Sequence, residues 1–148
     1  MLYICEFELC TEGPSVHAVP RNGLEADIVG GNIDDAMARA AAWLIETVDR
    51  ALLRGESLPS VALGSAPQCG GRIVALAVDR SQDDIPCMSA ADAARSLGIS
   101  RVRVKQLCDA GLLDSWKSGS RRLVTKASVE ARHAWMDARG LESKTEAA

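Results

Sequence analysis

The chain has 148 residues, 47% hydrophobic and 25% charged, with five Cys and only three Trp, one Tyr and one Phe as aromatics. That length makes one domain or two very small ones, and the composition is that of an ordinary globular chain, which excludes extensive disorder. The formal charge of −3 hides a division: residues 1–85 carry six Lys/Arg against thirteen Asp/Glu, residues 86–148 eleven against seven, so a polyanion is repelled by one half and attracted by the other.

The chain opens Met1-Leu2-Tyr3-Ile4-Cys5-Glu6, without a basic leader and with an acid breaking the apolar run, unlike a signal peptide. No apolar stretch approaches the roughly 18 residues of a membrane span. A cytoplasmic chain with no membrane partner is expected. Leu2–Cys10 alternates Tyr3, Cys5, Phe7 and Leu9 against Leu2, Ile4, Glu6 and Glu8, which predicts a strand with one apolar face and one ending in acids. After a Gly13-Pro14 turn, Val16–Val19 reads as a second strand. The Asn22-Gly23 pair is a hairpin signal, and Leu24–Val29 reads as a third strand with Leu24, Ala26 and Ile28 inward.

Gly30-Gly31-Asn32 ends the sheet. Asn32 is a good N-cap, Asp34 and Asp35 suit a first turn, and Ile33, Met37, Ala40, Leu44, Val48 and Leu52 lay an apolar stripe along a long helix. The helix should stop at Arg54-Gly55. Gly64–Gly71 reads as a loop and Arg72–Val78 as a fourth strand. The run Gly31-Asn32-Ile33-Asp34-Asp35-Ala36, the long helix, the Gly55-Glu56-Ser57-Leu58-Pro59 exit and the closing strand together resemble the N-terminal domain of HicB-type antitoxins over residues 2–80. That resemblance implies binding of a small basic HicA-like RNase toxin. The chain departs from the family at Gly13–Gly23, where a glycine-aromatic strand and a Pro-Asp-Leu-Pro-Gly-like turn are usual. A domain of similar shape that only dimerises or senses a ligand is the alternative.

A polar stretch, Arg80–Pro86, marks the boundary, with residues 81–87 as linker. Ser89 then caps a helix whose small apolar face is Ala90, Ala91, Ala93, Ala94 and Leu97; Gly98-Ile99-Ser100 is a tight turn, and Ser100 caps a second helix running to about Asp109. Two short helices joined by a Gly-containing turn make a helix-turn-helix. With Val104 and Leu107 inward, Arg101, Val102, Arg103, Lys105 and Gln106 lie outward or flanking, chemically suited to guanine, adenine and thymine edges. Asp114–Thr125 reads as a β-hairpin with its tip at Ser118–Ser120, Trp116 toward the core, and Lys117, Arg121 and Arg122 placed for phosphates. A last helix covers roughly Lys126–Arg139, and residues 141–148 read as a disordered tail. The residues Ser89, Ala93-Ala94, Leu97-Gly98-Ile99-Ser100, Val104, Leu107, Gly111-Leu112-Leu113, Arg121-Arg122 and Ala127–Ala131 resemble the winged helix-turn-helix of the excisionase and MerR-like families. The resemblance implies major-groove reading by residues 101–106 and backbone contacts by Ser89, Ser100, Lys117, Arg121, Arg122 and Lys126.

The five cysteines, without a CxxC pair and with His17 and His133 far apart, give no zinc spacing and read as reduced thiols, mostly buried. No catalytic motif occurs, and neither catalytic residues, a metal nor a cofactor is expected. The fold expected is α+β, a small β-β-β-α-β sheet domain with one covering helix (residues 1–80), followed by a mostly helical winged helix-turn-helix domain (residues 88–140). The function expected is a sequence-specific regulator of double-stranded DNA, at least a homodimer. On one alternative it is an antitoxin-like repressor of its own operon; on the other, a stand-alone DNA-binding or architectural factor.

Overall fold

Leu2–Glu12 forms β1 and Ser15–Pro20 forms β2, paired antiparallel from Phe7 opposite Pro20 to Glu12 opposite Ser15. These belong to a computed structural model that describes residues 1–60 and 62–146, with side chains through residue 140. Val29–Gly30 is a two-residue β3, Ile33–Arg54 is α1, and Arg72–Asp79 is β4, antiparallel to β1. The sheet order is β3-β2-β1-β4. Strand alternation turns Cys5, Phe7 and Leu9 toward α1, which meets them with Ala36, Ala40 and Leu44. The Phe7 and Trp43 rings meet edge to face at 5.9 Å. Asn32 caps α1 by accepting from the Asp35 amide at 2.8 Å, and Gly55 ends it.

Three expectations change here. The α1 stripe is rotated: Ile33 is 53% exposed and Ala36 takes the inward position. Gly30 permits this, because a Cβ there would collide with the Ala36 backbone. The third strand is almost absent. Asn22 is buried, accepts from the Leu24 amide at 3.0 Å and donates to the Tyr3 hydroxyl at 3.1 Å; this local turn carries residues 24–27 off as extended chain. The chain rejoins β2 only where the Ile28 carbonyl accepts from the Ala18 amide at 2.9 Å and Val29 and Gly30 pair with His17 and Val16.

The third change is on the outer face of β1. Glu6 and Glu8, which alternation puts on the face opposite Cys5, Phe7 and Leu9, are buried at 4% and 0% exposure. The loop 64–71 folds across them: Glu6 accepts from the amides of Gly64 and Ser65, and Glu8 from those of Gln68, Cys69 and Gly71. The Arg21 guanidinium pairs with Glu8. The amides hold the Glu6 carboxyl below the usual glutamate range, Gly64 most strongly. Gly71 enters β4 so close to the Leu9 carbonyl that no Cβ fits. A disulfide, Cys10–Cys69, pins the same loop to β1, so two of the five cysteines are not free thiols. They stand 59 residues apart, a pairing without a sequence signature. Glu8 lies beside both sulfurs, but its oxygens are taken by Arg21 and the loop amides.

Contacts divide the chain into Met1–Gln82 and Asp83–Ala148. In the second unit, Cys87–Ser89 (β5), Ser115–Ser118 (β6) and Arg121–Thr125 (β7) form a sheet of order β5-β7-β6, with helices Ala90–Leu97 (α2), Arg101–Asp109 (α3) and Lys126–Glu146 (α4). Strand β5 was not expected; it pairs with β7 from Cys87 opposite Thr125 to Ser89 opposite Leu123. Ala93, Leu97, Val104, Leu107, Leu113, Val124 and Val129 make the core. Helix α4 runs past Arg139 to Glu146, so most of the expected disordered tail is helical in its backbone; residues 147 and 148 lie outside the described residues. Past Arg139 no proline intervenes, and Leu141, Glu142, Lys144 and Glu146 are good helix formers.

Candidate nucleic-acid interface

The interface is built on two short helices held by their caps. The Ser89 hydroxyl accepts from the Asp92 amide at 3.1 Å and opens α2; the left-handed Gly98, φ 64°, closes it. Two residues on, Ser100 accepts from the Arg103 amide at 3.1 Å and opens α3. The turn fixes α3 against α2 through Ala93, Leu97, Val104 and Leu107, all buried. With Val104 and Leu107 inward, helical geometry leaves the other side of α3 to solvent. Arg101, Val102, Arg103, Lys105 and Gln106 are all exposed there.

Two details define this surface. Val102 is 67% exposed, an apolar side chain among three cations. Arg103 donates to the Gln106 side-chain carbonyl at 3.2 Å, so the two groups able to take base edges bidentately already stand side by side. A nine-residue helix is about 13.5 Å long, and the B-DNA major groove, roughly 12 Å wide, admits a helix.

The hairpin behaves as a wing. Its tip, Ser118-Gly119-Ser120-Arg121, has Gly119 at φ 63° in the first central position, the requirement of a type II′ hairpin turn. Lys117 and Arg121 are exposed. Arg122 is only partly exposed: it stands opposite Lys117 and donates to the Asp109 carboxylate at 3.5 Å, tying the wing to the last residue of α3. Trp116 is half-buried but outside the core. Val124 takes the core-facing position on β7, so Leu123 and its cross-strand partner Trp116 occupy the other face. Lys126 is exposed at the start of α4, its amide bonded to the Pro86 carbonyl at 2.9 Å.

The structure therefore brings the α3 residues onto one exposed face, with Ser100 at its head. Ser89 and Ser100 serve their helices as caps. Sequence reasoning missed the Arg122–Asp109 tie, which carries no fixed spacing, and the pairing of Arg95 with Asp92. Arg95, with help from Ser89 and the nearby Arg121 charge, holds the Asp92 carboxyl below its ordinary range. It also missed Trp135, 45% exposed between the guanidiniums of Arg132 and Arg139, 4.0 and 4.8 Å from its ring centre. His133 pairs with Asp137 one turn on.

Among the described residues no helix is long and apolar enough to cross a membrane. No curated protein and no solved structure matches the chain. Residues 87–132 match the model of a helix-turn-helix domain family, a span from β5 into α4 that includes the capped helix pair and the wing. The C-terminal unit carries a DNA-binding helix-turn-helix domain.

Proposed function

We propose that the protein is a sequence-specific transcriptional regulator in which α3 reads the major groove, the wing holds phosphates, and two copies act together on a two-fold site. The observation that carries this reading is the division of α3, with Val104 and Leu107 buried and Arg101, Val102, Arg103, Lys105 and Gln106 exposed on the other side. Phosphate contacts orient a protein on duplex DNA, whereas base-edge contacts give it sequence preference. Dimerisation follows from reading length: one short helix contacts too few base pairs for useful specificity, and a dimer doubles the site. Selection of duplexes from a random library by the full chain tests it. Enrichment of one motif with two-fold symmetry is expected; retention of duplexes without a common sequence overturns it in favour of an architectural factor.

An antitoxin role, in which the N-terminal unit holds a small basic RNase toxin and the protein represses its own operon, draws on the HicB-like residues and on the acidic balance of that unit. Glu6 and Glu8 are spent internally, so attraction would fall to Glu12, Glu25, Asp27, Asp34, Glu46 and Glu56, all exposed. Co-expression with a small basic protein encoded beside this chain would test the role: rescue of growth and a stable complex support it, and unrelieved toxicity removes it.

A further inference from the structure

We propose that the outer edge of β4 is a dimerisation edge, pairing antiparallel with β4 of a second copy of this chain about a two-fold axis through Ala75. The inference deepens the dimeric reading above and rests on it. Strand β4 is the last strand of its sheet, and the ladder to β1 shows which of its groups are free. The Met1 amine donates to the Arg80 carbonyl and the Arg80 amide returns a bond to Met1 at 2.8 Å, so these two residues form a mutually bonded pair. In an antiparallel ladder such pairs alternate. Val78, Leu76 and Val74 therefore turn their amides and carbonyls toward Tyr3, Cys5 and Phe7, while Ile73, Ala75 and Ala77 turn theirs outward. Soluble proteins protect such an edge with lysine, proline, a bulge or a short strand. From Ile73 to Val78 this one has no charge and no proline.

Side chains on both faces of β4 continue the pattern. Ala75 and Ala77 are exposed on the outer face; Val74, Leu76 and Val78 are half-buried on the helix face. Ile33 and Met37 of α1 share a groove with Arg72 and Val74 at one end of β4, and Asp49 binds Arg80 just past its other end, at 2.8 Å. The helix row 33, 37, 41, 45, 49 thus runs along β4, and its middle members, Ala41 and Ile45, are half-buried and apolar. An unpaired backbone edge is flanked by an apolar strip from strand and helix together.

A second copy fits both. A two-fold axis normal to the sheet keeps the two helices on one side and pairs only residues that share a face. With Ala75 opposite its own counterpart, Ile73 stands opposite Ala77 of the second copy, and Val74 opposite Leu76. Every outward amide and carbonyl from Ile73 to Ala77 then gains a partner, about six ladder bonds in all. Only small or apolar side chains meet, and the charged ends Arg72 and Asp79 fall outside the paired stretch.

Sedimentation of the full chain should show a dimer at micromolar concentration. Ala75→Lys, which places two like charges across the axis, should weaken association at least tenfold without changing the circular-dichroism spectrum. Mild oxidation should link Ala75→Cys into a covalent dimer, since bonded antiparallel partners lie about 5.5 Å apart at Cα, within disulfide reach. Ala77→Cys should not link, because its counterpart is four residues off register, roughly 13 Å away; the unaltered chain is the control for Cys87 and Cys108. A monomeric full chain, an Ala75→Lys dimer of unchanged strength, or linkage at Ala77 but not Ala75 overturns the proposal. Should Ala75→Lys not fold, the two cysteine variants decide. Failure of the DNA-reading proposal is separate: it shows as absence of a selected motif while the dimer persists. Ala75→Lys should in turn keep its affinity for a duplex carrying one half of the motif.

Discussion

Arg103 and Gln106 are joined by a hydrogen bond on an exposed helix face, so either can be removed without touching the core. Arg103→Ala and Gln106→Ala should each weaken binding to the selected motif by about 1–3 kcal/mol. On unrelated duplexes Gln106→Ala should change little, since it removes no charge; fluorescence anisotropy on both duplexes checks this. In the other unit, Glu8→Ala would strip three loop amides of their acceptor and leave the largely buried Arg21 guanidinium with the Gln68 side-chain carbonyl but no counter-charge. Breaking a buried ion pair from one side costs about 3–5 kcal/mol, which urea titration would show as a lower midpoint. Glu6 supplies a pH signature. Its folded pKa is lowered by the Gly64 and Ser65 amides, so the stability it contributes is fully present above the ordinary glutamate value of about 4.3. It is lost as pH falls through the folded value. The stability difference between the native chain and Glu6→Gln should therefore close in acid. Neither carboxylate's role was legible in the sequence, because alternation placed both on a face opposite the core and the loop that covers it comes some 60 residues later.

Helices were legible where local chemistry alone decides them. Asn32, Ser89 and Ser100 cap as expected, each accepting from the amide three residues on, and Gly55 and Gly98 end their helices in the left-handed region. Ser100→Ala should lower the stability of the C-terminal unit by about 1 kcal/mol and loosen the start of α3, reducing affinity for the selected motif alongside the thermal midpoint. Elements that depend on distant partners were less legible. The third strand has the alternation of a strand, but Asn22 is captured by Tyr3 and by its own turn. Strand β5 is three residues long and exists because β7 offers an edge. Trp116 has an aromatic's usual claim on a core, yet the register of β7 gives that place to Val124. The exposed face of α3 was readable because two buried residues, Val104 and Leu107, fix its rotation.

The opposed charges of the two halves bear on the whole molecule. Binding to any duplex should weaken steeply with salt, and Lys117→Ala or Arg121→Ala should each lower the slope of log K against log salt by about 1. Arg122→Ala should behave differently, loosening the wing through loss of Asp109. A titration of affinity against salt for the three variants separates the two roles. The Cys10–Cys69 bond has a consequence of another kind. It closes residues 10 to 69 into a covalent ring that holds β2, β3, α1 and most of the loop over β1. A protease that cuts anywhere inside that ring opens the chain without releasing a fragment. Unfolded in denaturant, the nicked protein keeps its mass, apart from one added water, until a reductant parts the two sulfurs, and only then does it come apart into two peptides.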